Sequence, residues 1–208
     1  MRRTAAVAVI AAAILLSSAR PFAWGASGHH IVARIALTRL TAETQRAVTT
    51  ILGEEDFVTV ATWADEVRTA RPETYNWHFV DILYGNATYS PERDCPPTEK
   101  GDCVIAEIER ARQTLRDTAQ PARQRSEALK YLIHFVGDMH QPLHSTDNHD
   151  RGGNDVHVHG DAGRATNLHA MWDSGIIQRR GLTENAYAQF LIDDLVAHPL
   201  PASENRVA

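Results

Sequence analysis

Nine residues between Trp24 and Asp173 have types and spacings that suit zinc: Trp24, His29, Asp65, His78, His134, Asp138, His144, His169 and Asp173. Imidazole and carboxylate together are the common ligand set of catalytic zinc. His134 and Asp138 stand four apart, as do His169 and Asp173. Residues at that spacing share one face of a helix. His144 follows closely behind the first pair. Each pair could hold one ion or two adjacent ones.

The context of each residue sharpens this. His134 and Asp138 sit among Leu132, Ile133, Phe135 and Val136, so their helix is apolar on nearly every side and is predicted to be buried. A buried carboxylate without a partner or an ion is costly. The plainer alternative for this segment is a capped Asp beside a hydrogen-bonded core His. Gly137 permits a close approach, and Pro142 ends the helix so that His144 can turn back. Asp65 and His78 could each be structural when taken alone. Trp24 would act through its backbone: a cut after Ala23 frees an α-amino group that, with its own carbonyl oxygen, closes a five-membered chelate ring. Gly25 and Gly28 allow a tight turn towards His29. The alternative is a tryptophan that anchors the first helix.

Two further signals set the compartment. Arg2 and Arg3 precede the apolar run Ala5–Leu16, which is too short for a membrane span. Residues 1–23 therefore read as a secretory signal, although Pro21 departs from the small-x-small pattern before the cut. An uncleaved anchor is the alternative. Cys95 and Cys103 are the only cysteines. In an exported chain they predict one loop-closing disulfide, against the alternative of two free thiols. Cleavage would remove Arg2, Arg3 and Arg20 and no acid, taking the net charge from −5 to −8. So acidic a protein does not bind polyanions through a general basic field. If the substrate is a phosphate ester, bound cations must supply the positive charge.

The elements that must position these residues are mostly helices. At 208 residues and 43% hydrophobic content, the chain suits one domain, residues 24–208, with a sizeable core. Apolar periodicity predicts helices over Gly28–Leu40, from Thr41 to a stop at Gly53, and over Phe57–Ala70, Val104–Thr118, Arg125–His140, Leu168–Arg179 and Thr183–Val196. Thr74–Leu83 is shorter and could be extended. Tyr84–Asp102 reads as a loop. So does Pro142–Asn167, with room for a small hairpin. The tail from Pro199 has no pattern, and no internal repeat is found.

In these residues the chain resembles a known family. Trp-Gly-Ala-Ser-Gly-His at 24–29, Trp-Ala-Asp at 63–65, Trp-His-Phe-Val-Asp at 77–81, His134-x3-Asp138-Met-His-Gln-Pro-Leu-His144, Arg-Gly-Gly-Asn at 151–154 and Asn-Leu-His-x3-Asp at 167–173 are similar to the motifs of the trinuclear-zinc, single-strand-specific nucleases of the P-one and S-one type. The resemblance implies a mostly α-helical, single-domain fold of the zinc phospholipase C and single-strand nuclease type, with three Zn2+ in a cleft. It implies one zinc on Asp65, His78 and His134, and a second on His29 and the backbone of Trp24, with Asp138 bridging them. A third would lie on His144, His169 and Asp173. Phe79 would stack on a base, Asp81 and Asn154 would line the nucleotide pocket, and Arg68 would contact the scissile phosphate while Asp65 orients the attacking water.

The implied activity is an endonuclease on single-stranded DNA and RNA that leaves 5′-phosphates, with 3′-nucleotidase action as an extension. The protein would be secreted or periplasmic, monomeric and free of the membrane. A zinc phospholipase C and a non-catalytic exported zinc binder are the rivals. His30, His140, His149, His157, His159 and His198 are expected outside the ligand set, with His157 or His159 as the outside candidates for metal. The family continues for several tens of residues beyond the last motif, so the C-terminal helices are expected to be incomplete.

Overall fold

The computed structural model describes residues 24–86, 88–160 and 165–199. The expected export signal and nearly all of the tail fall outside the described residues. Helix α1 spans Ala26–Arg39 and buries His29, Ile31 and Ala33. Helix α2, Ala42–Leu52, starts where the Thr41 hydroxyl accepts the Thr44 N–H at 3.1 Å. It stops at Gly53, whose φ of +65° suits a residue without a Cβ. Both ends lie where the sequence signals place them.

The expected helix over 57–70 is corrected. The Asp56 carboxylate accepts the N–H groups of Val58 and Thr59 and the Thr59 hydroxyl, at 3.1, 2.9 and 3.0 Å. Its cap, followed by β-branched Val58, Thr59 and Val60, favours a tight 3-10 turn over Thr59–Thr62. Only then does helix α3, Trp63–Arg68, begin. Thr74–Leu83 divides in two. Pro72–His78 is 3-10 helix, led by Pro72 in the first turn. From Phe79 the chain is extended, and Val80 donates to the His144 carbonyl at 2.8 Å. The loop 84–102 contains one helical turn, α4, over Pro91–Asp94, where Asp94 accepts the Ser90 N–H. Cys95 and Cys103 are joined as a disulfide at the edge of the core.

Helices α5, Val104–Arg116, and α6, Ala122–Met139, pack along one another. The second begins three residues before its expected start, directly after Pro121. Their shared core holds Val104, Tyr131 and Phe135, with Ala64 and Val80 packed against them. Trp63 and Trp77 both meet the Tyr131 ring edge-on, at 5.1 and 5.5 Å. Burial of such rings contributes much of a core's stability. Strand β1, His157–His159, pairs antiparallel with β2, Ala165–Asn167, as the small hairpin of the loop.

After β2 the chain forms helix α7 over Leu168–Ala170, a π-helical turn over Met171–Gly175 and helix α8 over Ile176–Gln178. One continuous α-helix was expected here. Helix α9, Glu184–Ala197, is capped by Thr183 and packs on α1, where Glu184 accepts from Ser27 at 2.8 Å.

Candidate metal centre and cleft

Helix α6 supplies the centre of the site. His134 and Asp138, one turn apart, are both fully buried. His134 donates from Nδ1 to the Ala61 carbonyl at 2.7 Å, and its Nε2 faces Asp138 Oδ2 at 3.1 Å. His78, at the end of the 3-10 turn, brings Nδ1 to 3.1 Å from the same oxygen and 3.5 Å from Asp65 Oδ1. From the other side His29 Nε2 lies 3.2 Å from Asp138 Oδ1. The two oxygens of Asp138 thus face two different groups. Gly137 makes this approach possible, because a Cβ there would stand 3.1 Å from His29 Nδ1.

A second cluster lies beside the first. His144 donates from Nδ1 to the His78 carbonyl, and His169 from Nδ1 to the Gly152 carbonyl, both at 2.7 Å. Their Nε2 atoms point to Asp173, at 3.7 and 3.3 Å. The π turn carries Asp173, and π turns often sit at functional sites. Asp173 is further held by Gln141, whose amide donates to Oδ1 at 2.6 Å. Its carbonyl accepts the Gly25 N–H at 2.9 Å, which ties the start of the described chain to this cluster.

The electrostatics of these groups belong to a site short of positive charge. Burial alone would raise Asp138, yet the His134 charge and hydrogen bonds from His134, His29 and His78 hold its carboxyl well below the usual range. Burial also opposes protonation of His134, but Asp138 and Asp65 outweigh it and raise the imidazole to about 9. Burial lowers His29 to about 4 and His78 to about 3. Burial raises Asp65 to about 6.

The donor set fits divalent metal. His29 Nε2, Asp65 Oδ1, Asp138 Oδ1 and His144 Nε2 are buried without a hydrogen-bond partner, although buried polar atoms are normally paired. Imidazole nitrogens and carboxylate oxygens crowd together with bonding capacity to spare, an arrangement that a cation satisfies. Three groups can place one ligand atom from each member close together: His29, His134 and Asp138; Asp65, His78 and His134; His144, His169 and Asp173. His134, His144 and His169 each donate Nδ1 to a backbone carbonyl and are thereby held in orientation, as metal-ligating histidines usually are.

Trp24 lies against this centre. Its indole donates to the Gly137 carbonyl at 2.9 Å, and Gly28 leaves room for the ring, since a Cβ there would stand 2.8 Å from it. The ring therefore anchors α1 to α6, as one of the two readings of Trp24 expected, and it holds residue 24 at the Asp138 turn.

The same centre floors a cleft of about 250 Å³. Arg68, Phe79, Asp81 and Asn154 all line it, together with His78 and His144. Burial, with Asp147 nearby, raises the Asp81 carboxyl. Sequence reasoning missed three contributors. Tyr75 lies under the Arg68 guanidinium, 4.0 Å from ring centre to Cζ, and meets Phe79 edge-on at 6.4 Å. Gln141 bonds Asp173, and Asp147 shapes the 147–154 loop. Gln141 sits inside the 134–144 motif, which is the one signal that could have marked it. Nothing in the sequence marks Tyr75.

The remaining histidines stand apart from the three groups. His30 pairs with Glu184 and His198 with Asp194, both at 3.1 Å. His140 bonds the Val136 carbonyl, and His157 and His159 are exposed on β1.

Comparison with known proteins agrees over most of the chain. Residues 24–205 match the family model described as S1/P1 nuclease. Endonuclease 2 of Arabidopsis thaliana is 35% identical over 184 residues, covering 82% of this chain and 61% of that protein. Nuclease P1 of Penicillium citrinum is 35% identical over 164 residues, covering 75% and 59%. Nuclease S1 of Aspergillus oryzae is 32% identical over 175 residues, covering 80% and 59%. The chain spans about three fifths of the length of these relatives.

Proposed function

The chain belongs to the S1/P1 nuclease family, and from that premise we propose a zinc-dependent endonuclease that hydrolyses phosphodiester bonds of single-stranded DNA and RNA to 5′-phosphorylated products. Removal of a 3′-phosphate from nucleotides is the same chemistry on a smaller substrate. The observation that carries this reading is the meeting of His78, His144 and His169, from two of the three His/Asp groups, with Phe79 and Arg68 in one cleft. A metal cluster alone would suit many hydrolases. A half-buried aromatic ring and a guanidinium in one cleft suit a base and its phosphate.

Three zinc ions would be held as follows. Asp65, His78 and His134 take one, His29 and the amino and carbonyl groups of Trp24 take another, and Asp138 bridges the two. His144, His169 and Asp173 take the third. Zinc in such a site supplies a water of lowered pKa and positive charge for the phosphoryl oxygens. The protein groups do the rest. Asp65 orients the attacking water and accepts its proton. Arg68 binds the non-bridging oxygens of the scissile phosphate. Phe79 stacks on the base, worth roughly 1–3 kcal/mol. Asp81 and Asn154 bond its edge. A base in a duplex must first leave its stack, at a cost of a few kcal/mol, which is the source of the single-strand preference.

The Trp24 assignment requires export and a cut after Ala23. The Cys95–Cys103 disulfide supports an oxidising compartment, either secreted or periplasmic. No described helix is long and apolar enough to cross a membrane. The protein would act as a monomer.

The decisive assay compares substrates. Zinc-loaded protein should release 5′-phosphorylated products from single-stranded DNA and leave phosphatidylcholine intact. Phe79→Ala should raise KM for DNA about tenfold or more, in line with roughly 1.4 kcal/mol of lost stacking, at unchanged zinc content. Cleavage of phosphatidylcholine would favour a phospholipase, and neither activity would leave a zinc binder.

A further inference from the structure

We propose that Arg151 forms a second phosphate-binding position at the rim of the cleft, for the nucleotide next to the one at Phe79. The proposal rests on the reading of the cleft as a nucleic-acid site. Arg151 lines the cleft, and its side chain is 74% exposed. Its ion pair with Asp155 is long, at 3.4 Å, and both partners face solvent, so the pair is weak and the guanidinium can exchange it for a phosphate. A guanidinium also matches two phosphate oxygens at once.

The backbone at Arg151 points the same way. Its φ of +56° is unusual for a residue with a side chain, and strain of this kind collects at ligand clamps. The surrounding loop holds it there. Asp147 Oδ1 accepts the N–H groups of Asp150 and Gly152, and Oδ2 that of His149, at 3.3, 3.0 and 3.2 Å. Asp150 in turn accepts the Gly153 N–H at 2.8 Å. Asp147 is itself bonded to the extended segment that follows Phe79, through Ile82 and Tyr84 at 3.0 and 2.7 Å. The Arg151 side chain is thus carried by a backbone fixed to the base-stacking wall.

Size and charge supply the need. At about 250 Å³ the cleft falls just under the roughly 300–1,000 Å³ of ordinary ligand pockets, so it has no room for several nucleotides of a strand. The next phosphate of a strand must lie at the rim. The molecule carries a net charge of −5, so a polyanion gains nothing from its overall field and depends on local cations.

The test uses zinc-loaded mature protein, beginning at Trp24, and a short fluorescent single-stranded DNA with phosphorothioate links. Arg151→Gly removes the charge and relieves the backbone, so it should not lower the melting temperature. Its affinity for the DNA should fall about fivefold at 0.1 M salt. The slope of log K against log salt should become shallower by about 0.7, the value for one phosphate contact on a single strand. Arg151→Lys should keep the slope. KM for a 3′-mononucleotide should be unchanged in both. An unchanged slope and affinity in Arg151→Gly would overturn the second position, and so would an equal loss on the mononucleotide. If the wild-type protein itself does not bind the DNA, the reading of the cleft fails, which is a separate result.

Discussion

Asp138 has no exposure at all and yet is ionised, so the site is built around a charge that only cations can balance. Its oxygens divide between His29 on one side and His78 and His134 on the other. Asp138→Asn keeps the shape and removes the charge. Zinc content should fall by one to two ions per chain. Hydrolysis should drop by more than the roughly 10–100-fold typical of outer-shell changes at metal sites. Helical circular dichroism should stay near wild type. Elemental analysis that returns the wild-type zinc load would remove Asp138 from the bridge. At this scale the charged residues were legible in the sequence, because paired His and Asp at helical spacing have few other uses. Gln141 and Tyr75 were not, because a neutral side chain at a site carries no spacing rule. Gln141 is defined only by its 2.6 Å bond to Asp173.

The elements divide by whether their ends carry local chemistry. Thr41, Gly53 and Thr183 mark helix ends through their own side chains or backbone freedom, and the structure places ends at each. Apolar periodicity passes over the 3-10 turn at Thr59–Thr62 and the π turn at Met171–Gly175. The first follows from an Asp56 cap and β-branched residues. The second sets Asp173 between Gln141, Gly25 and two histidines, contacts from other segments that periodicity does not contain. Loop 147–154 is another element fixed from outside. Gly152 has φ +59°, and a Cβ there would lie 2.5 Å from the Leu143 carbonyl. Gly152→Ala should therefore destabilise by about 1–3 kcal/mol, a drop in Tm of several degrees for a chain of this size. It should also shift the carbonyl that holds His169. Loss of about one zinc per chain should accompany the lower Tm, and a variant unchanged in both would show that the loop tolerates a side chain there.

At the scale of the whole molecule, metal and proton compete for one buried centre. In the metal-free protein His134 sits at about 9 and Asp65 at about 6, while His29 and His78 lie at about 4 and 3. At pH 7 the Asp65, His78 and His134 group therefore carries about one proton, on His134. Zinc binding must expel it, since imidazole ligates only when neutral. Between pH 6.5 and 8, log K for the zinc on Asp65, His78 and His134 should rise by about one unit per pH unit. Below about 6 the slope should steepen as Asp65 also holds a proton. The folding signs oppose each other. His134 is raised from 6.5 to about 9, so its contribution to metal-free stability is complete below 6.5 and is lost as pH rises through 9. The loaded protein carries no such proton and gains affinity over the same range. The rise in Tm on adding zinc should thus widen from pH 6.5 to 9. Zinc calorimetry in buffers of different protonation enthalpy reads the expelled proton directly. A heat that does not depend on buffer at pH 7 would mean that His134 is neutral before the metal arrives. The balance between cation and proton at Asp138 would then have to be assigned to another group.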